Sequence, residues 1–229
     1  MIAAGPAAAM LPEILFQSNH LLIINKPAGL PCHRGPNRIG PCVEDFFPLW
    51  RRGHDGPWLA HRLDTDTAGC LMIARRKTTL TAIQSGFRSG AVDKTYAAIV
   101  RGVPTARDGV ISARLLKHQS IQGWHIAVDP GGSPARTLWR VLAVHNGQTL
   151  LELTPQTGRT HQLRVHCASI GHPILGDPLY GDPADKTHPV GLCLLARRLA
   201  LTLGATIITA AAPWPEAMRA AWGDALPHQ

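Results

Sequence analysis

Asn146-Gly147 sits between two runs rich in apolar and β-branched residues, Arg136 to Val144 and Thr149 to Leu153. Both positions of an Asn-Gly pair tolerate positive φ, so the dipeptide predicts a tight hairpin between two antiparallel strands. The same grammar recurs along the chain. Ile14 to Phe16 and Leu21 to Asn25 read as short strands around Ser18-Asn19, ending at Pro27 and Gly29. Further strands are expected at Leu71 to Ala74, Thr95 to Val100, Ile111 to Leu116, His125 to Val128 and within Leu192 to Leu203. Helices are few. Val43 to Trp50 predicts a short one, and Thr78 to Ser89 a longer one with Leu80, Ile83 and Phe87 on one face and Gly90 at its stop. Thr160 can cap a helix running to about Ser169, ended by Gly171, and a last helix follows Pro215. Hairpins outnumber crossover helices, which predicts an α+β fold: a mixed, largely antiparallel sheet with flanking helices rather than a doubly wound parallel one.

At 229 residues with 45% hydrophobic and 17% charged residues, the chain has material for a sizeable core, which excludes disorder as its main state. Residues 1–12 are rich in Ala, Pro and Gly and read as a poorly ordered tail. No repeat or charged linker marks a boundary beyond them, and the two motifs described below must share one site, so residues 13–229 are expected to form a single catalytic domain. No run of 18 apolar residues occurs, and the apolar start lacks the cations of a signal peptide; a cytoplasmic protein with no membrane association is expected. Cys32, Cys42, Cys70, Cys167 and Cys193 are an odd number without a CxxC pair, which argues for reduced thiols and against a zinc site.

Charge narrows the choice of partner. The formal net charge is +8, and the stretch from Arg62 to Arg164 holds 14 basic and 6 acidic residues, the whole of that excess. A concentrated positive field points to a polyanionic partner. A solvated arginine-rich face is the bland alternative.

Two segments carry more chemistry than a core requires. HRLDTDT, His61 to Thr67, sets two carboxylates beside an arginine and a histidine. A backbone-bonding turn explains such a segment without function. It also grazes the DxDx[TV] signature of a phosphoryl aspartate, but Ala68 occupies the last position. TGRTHQLRVH, Thr157 to His166, pairs a helix start with Arg159 and Arg164, a natural anion site. Its histidines lack the HExxH spacing, so no metal is expected. In KTYAAIV, Lys94 to Val100, Tyr96 shares a strand face with Ala98 and Val100.

Taken together, these segments resemble the RluA-type family of RNA pseudouridine synthases, over about Ile14 to Met218. NKPAGLPCH (Asn25 to His33) is similar to the family's opening motif, and HRLDTDTAG followed by LMIAR to its catalytic motif. FRSGAVDKTYAAIVRG (Phe87 to Gly102) is similar to its tyrosine-bearing strand, and LTPQTGRTHQLRVHCASIGHPILGDPLYG (Leu153 to Gly181) to its arginine-bearing motif. Ala68 departs from the usual Ser, and Leu195 from a frequent His.

The resemblance implies a pseudouridine synthase catalytic domain, an isomerase that needs no cofactor and no metal. It implies Asp64 as the catalytic carboxylate, Tyr96 as an aromatic platform against the base, and Arg164 as the fixed cation that keeps Asp64 ionised. Arg62 would hold a flipped-out nucleotide, and His61, Leu63, Thr67, Arg159 and His161 join it in binding substrate. For His33, His61 and His161 a purely structural hydrogen-bonding role stands equally open. With about a dozen residues before the opening motif, no appended N-terminal RNA-binding domain is expected. The implied partner is then a structured stem-loop of ribosomal or transfer RNA, with no obligate protein partner. The alternatives are a non-catalytic RNA-binding or RNA-remodelling protein on the same fold, and a magnesium-dependent phosphatase.

Overall fold

The computed structural model describes residues 11–35, 40–52, 54–121, 123–182 and 191–227. Most of the tail expected at residues 1–12 lies outside them. The chain gathers into two compact units, residues 1–92 with 199–212 and residues 93–198 with 213–229.

The first unit is built on β1 (Glu13–Gln17), β2 (Leu21–Lys26) and β4 (Ala68–Ala74), all antiparallel, with the two-residue β3 (Trp58–Leu59) on the end of β4. Every residue of β4 is buried, as are Leu21 to Ile24 of β2, because continuous apolar runs suit strands covered on both faces. Between them lie a 3-10 turn (Val43–Phe46) and the short helix α1 (Phe47–Trp50), with Val43, Phe46 and Trp50 buried. Helix α2 (Lys77–Ser89) packs on β3 and β4 through its apolar face, with Ile83 fully buried. It stops where expected: Gly90 is left-handed, and its N–H donates to the Gly86 carbonyl.

The second unit is an antiparallel ribbon in the order β5 (Val92–Arg101), β9 (Gln148–Pro155), β8 (Ser133–His145), β6 (Asp108–Ser120), β7 (Gly123–Val128). Asn146 and Gly147 both have positive φ and close the β8–β9 hairpin as expected. Helix α3 (Gln162–Ser169) lies against β6, β7 and β8, with Val165 packed among Leu115, Ile126 and Ala135. Helix α4 (Glu216–Trp222) follows Pro215. Strand β10 (Leu194–Leu203) belongs to the second unit up to Arg198 and to the first from Leu199 onward, and β11 (Thr206–Ala211) pairs with it.

The antiparallel sheets with flanking helices are the α+β class expected. Three details differ. β6 and β8 run thirteen residues each, longer than their apolar centres, because their outer residues alternate onto solvent and show no apolar run. β3 is too short to have a period, and β11 hides in the small-residue run TIITAA. Thr160 does not cap α3. The cap is His161, with φ 52 and no side-chain capping bond.

Among the described residues, no helix is long and apolar enough to cross a membrane, and no cluster of three or more His, Cys, Asp or Glu is placed to hold a metal. All five cysteines are buried and free. Burial, reinforced by the charge of Asp177, pushes the Cys167 thiol up to about 12, and burial raises Cys32 as well. Thiolate is the reactive form. Iodoacetamide at pH 8 is therefore expected to leave the native protein unmodified, whereas in urea all five thiols alkylate; native-state labelling of Cys167 by mass spectrometry would contradict this burial.

Candidate active site

In the first unit the HRLDTDT segment is the turn that leads into β4. The Thr67 N–H donates to the Asp64 carbonyl (3.2 Å), and Asp64 itself is half-buried. Lys26 fixes this turn from below. Its ammonium is fully buried and donates to the carbonyls of Pro27 (2.9 Å), Leu30 (2.7 Å) and Thr65 (2.8 Å). Three carbonyl dipoles compensate a charge that burial would otherwise penalise. The Gly29 N–H also donates to the Thr65 carbonyl (3.0 Å), so the opening motif and the acidic turn are bonded twice at one point.

A second tie lies on the other side of Asp64. The Leu63 N–H donates to Cys32 Sγ, and the Cys32 thiol donates to the Leu63 carbonyl, both at 3.3 Å. Leu63 is thereby a core residue, 6% exposed, and its side chain is in the interior. Thr67 is buried as well, Arg62 is exposed. His61 braces the base of the turn: its Nε2 accepts the Met72 N–H of β4 (3.0 Å), and its ring packs on Phe87 of α2 at 4.7 Å. Of the residues in this segment read as substrate contacts, Arg62 is thus an exposed cation, His61 and Leu63 have structural contacts, and Thr67 is buried.

In the second unit the organiser is Gln162, which composition and spacing do not single out. It is 4% exposed, and its amide makes four hydrogen bonds. Oε1 accepts from the Arg159 N–H (3.0 Å) and the Thr157 hydroxyl (2.7 Å), while Nε2 donates to the Arg136 carbonyl and Thr137 Oγ1, both at 3.0 Å. A buried amide with all its capacity used holds the loop before α3 in one shape. Arg159 is exposed, its Nε donating to the Pro134 carbonyl (3.1 Å). Tyr96 lies opposite Leu153 in the β5–β9 register, and Lys94, two residues earlier, donates to the Thr157 carbonyl (3.3 Å). That register sets the half-buried Tyr96 beside the strand feeding the loop.

Arg164 is 3% exposed and pairs side-on with the fully buried Asp177: Nε to Oδ2 at 2.7 Å and Nη2 to Oδ1 at 2.5 Å. Nη1 takes no part in that pair. Asp177 also accepts the N–H groups of Leu179 and Tyr180, and Arg164 stacks over the Tyr180 ring at 5.1 Å. The Tyr180 hydroxyl accepts the Ile126 N–H and lies 2.8 Å from His161 Nδ1. His161 is further stacked on Trp124 at 5.0 Å, so its ring is held between two aromatics. Asp177 and Tyr180 escape sequence reasoning because they sit in the Gly/Pro loop that reads as a connector. The signal was Gly176: a Cβ there would lie 1.8 Å from the Gly191 carbonyl oxygen, and φ is +71°.

His166, one turn behind Arg164's neighbours on α3, is wholly buried. Its Nδ1 lies 2.9 Å from Thr137 Oγ1, its Nε2 has no partner among the described residues, and burial lowers it to about 4.

A family model described as RNA pseudouridylate synthase matches residues 20–169. The chain is 40% identical over 214 residues to an uncharacterised RNA pseudouridine synthase of Zymomonas mobilis, covering 90% of this chain and 94% of that one. It is 39% identical over 166 residues to ribosomal large subunit pseudouridine synthase C of Vibrio cholerae, covering 72% of this chain and 51% of the relative, so it spans about half the length of that protein. Among solved structures, human RNA pseudouridylate synthase domain containing 4 superposes with a TM-score of 0.73 at 29% identity, over 89% of both chains.

Two outcomes test the geometry. Asp177→Asn removes the anion from a buried guanidinium and is expected to cost roughly 3–5 kcal/mol in urea unfolding; a loss under 1 kcal/mol would show that the pair is not needed for folding. Unfolded histidine titrates near 6.5 and folded His166 near 4, so between these values the unfolded state binds the extra proton. Stability should accordingly fall as pH drops from about 6.5 towards 4. His166→Gln should flatten that dependence in a thermal-melt series.

Proposed function

Since the chain belongs to the RNA pseudouridylate synthase family, we propose that Asp64 is its catalytic carboxylate and that its substrates are uridines in a structured ribosomal or transfer RNA. Pseudouridine formation breaks the bond between ribose C1′ and uracil N1, turns the base, and joins C5 to C1′. The reaction is an isomerisation with no net oxidation. It requires a nucleophile or base at the nucleotide, and a carboxylate serves for attack at C1′, addition at C6 or removal of the 2′ proton.

The observation that carries the assignment is the way Asp64 is presented. The turn holding it is tied at Thr65 by the Lys26 ammonium and at Leu63 by Cys32, while the carboxylate between those ties is left half-buried. A turn needed only to connect two strands has no use for a buried cation at that cost. In this reading Arg164 contributes a permanently charged guanidinium to the reaction. Its pair with Asp177 uses Nε and Nη2 and orients the fork. Tyr96 lies against the target base, with its hydroxyl placed for the final removal of the C5 proton.

A base inside a stack is out of reach of any carboxylate, so the uridine leaves its stack first, at a cost of about a few kcal/mol, least in a loop. The exposed Arg62, two residues before Asp64, suits the role of holding the displaced arrangement. Phosphate contacts by the basic middle of the chain supply affinity and orientation. Asp64→Asn should abolish pseudouridine formation in total ribosomal and transfer RNA while RNA binding stays within about twofold; full activity in that variant would end the assignment.

A further inference from the structure

At the C-terminal end of β4 the first unit opens into a groove of about 710 Å³, and its walls are cationic: Arg52, Arg75, Arg76 and Lys77, with Trp58 as the aromatic side and Asp55 as the carboxylate among the lining residues. None of these residues belongs to the acidic turn. β4 itself lies between them and that turn, and its seven residues span about 20 Å.

Three features make this groove more than a charged surface. Helix α2 starts in it with no side-chain capping bond at its N-cap, Arg76, and with no acidic residue in its first turn. Its first N–H groups therefore point their positive ends at the groove without the usual oxygen acceptor. Arg75 is 5% exposed, an extreme burial for a guanidinium, yet it makes no ion pair among the described residues. One of its nitrogens donates to the Ser18 carbonyl (2.9 Å), while its buried Nε has no acceptor. Burial, and after it the nearby charge of Arg52, disfavours protonation of Arg75, so two like charges share the space. A buried donor without a partner is a rarity that calls for a missing acceptor. An uncapped helix start, an unmet guanidinium N–H and clustered cations all ask for the same thing: a tetrahedral oxyanion.

We propose that this groove is a phosphate-binding site that takes a backbone phosphate of the RNA substrate several nucleotides away from the modified uridine. The inference rests on the reading of the chain as an RNA-modifying enzyme and deepens it, by giving the RNA a second anchor far along β4 from Asp64. Trp58, its ring held against Gly56, offers the neighbouring nucleotide a stacking face.

The test uses the full chain and two probes. The exposed Arg76 and Lys77 are replaced in Arg76→Ala/Lys77→Ala, and Arg52 separately in Arg52→Ala, with circular dichroism confirming the fold. A fluorescein-labelled RNA stem-loop with uridines in its loop is titrated over a range of salt. The double variant should weaken binding about tenfold at 0.1 M salt and lower the salt slope by about 1.5, while pseudouridine formation at saturating RNA is unchanged. The same loss should occur in an Asp64→Asn background. Inorganic phosphate, followed by NMR, should shift the Arg75 Nε–H and the backbone N–H of Thr78 and Thr79 saturably in the wild type and not in the double variant. Unchanged affinity and slope in a folded double variant overturn the proposal, even if phosphate titrates, since the anion would then come from another ligand. Loss of binding in the variants from a protein that makes no pseudouridine supports the groove and overturns the catalytic reading instead.

Discussion

A lysine ammonium buried out of reach of bulk solvent holds the first unit together. Lys26 closes β2, reaches three carbonyls, and through the Thr65 carbonyl locks a turn thirty-nine residues away in sequence. Replacing it with an apolar residue would take the donor from the Pro27 and Leu30 carbonyls, and each unmet buried acceptor costs about 1–3 kcal/mol. Because the Gly29 N–H shares the same carbonyl, the strand end, the opening loop and the acidic turn respond together. The proposed role of Asp64 depends on this tether: a carboxylate on an untethered turn would have no fixed position.

The second unit solves a parallel problem by different means. Its cation, Arg164, is held by a carboxylate, an aromatic face and the rigid loop that Gln162 closes. The two units thus use opposite strategies. One buries a cation to fix an anion's loop, and the other buries an anion to fix a cation's fork. In each case the buried partner, Lys26 or Asp177, has no access to solvent, so salt screens its interactions little.

Much of this was legible in the chain. Hairpin grammar gave the strands, Asn146-Gly147 the turn between two of them, Gly90 the stop of α2, and the four motifs the family. What could not be read was the supporting layer. Lys26 looks like a surface residue before a proline, Gln162 like filler on a helix, and Asp177 like part of a loop. Each has a partner 13 to 39 positions away that fixes its role. Pattern rules see neighbours within a turn or a strand, and these contacts obey neither period. Thr160 illustrates the same limit: a threonine before a helix suggests a cap, but Gln162 reaches back to satisfy the Arg159 N–H itself, and the chain enters the helix through a left-handed His161.

The division of β10 between the units bears on how the polypeptide is made. Neither unit is a contiguous stretch: the first is completed only by residues 199–212, and the second by those from 213 onward. The Cys70 thiol donates to the Ala210 carbonyl, a partner that leaves the ribosome 140 residues after it. Neither unit can therefore close before residue 199 has been made, and the apolar runs of β2 and β4 stay without part of their cover until then.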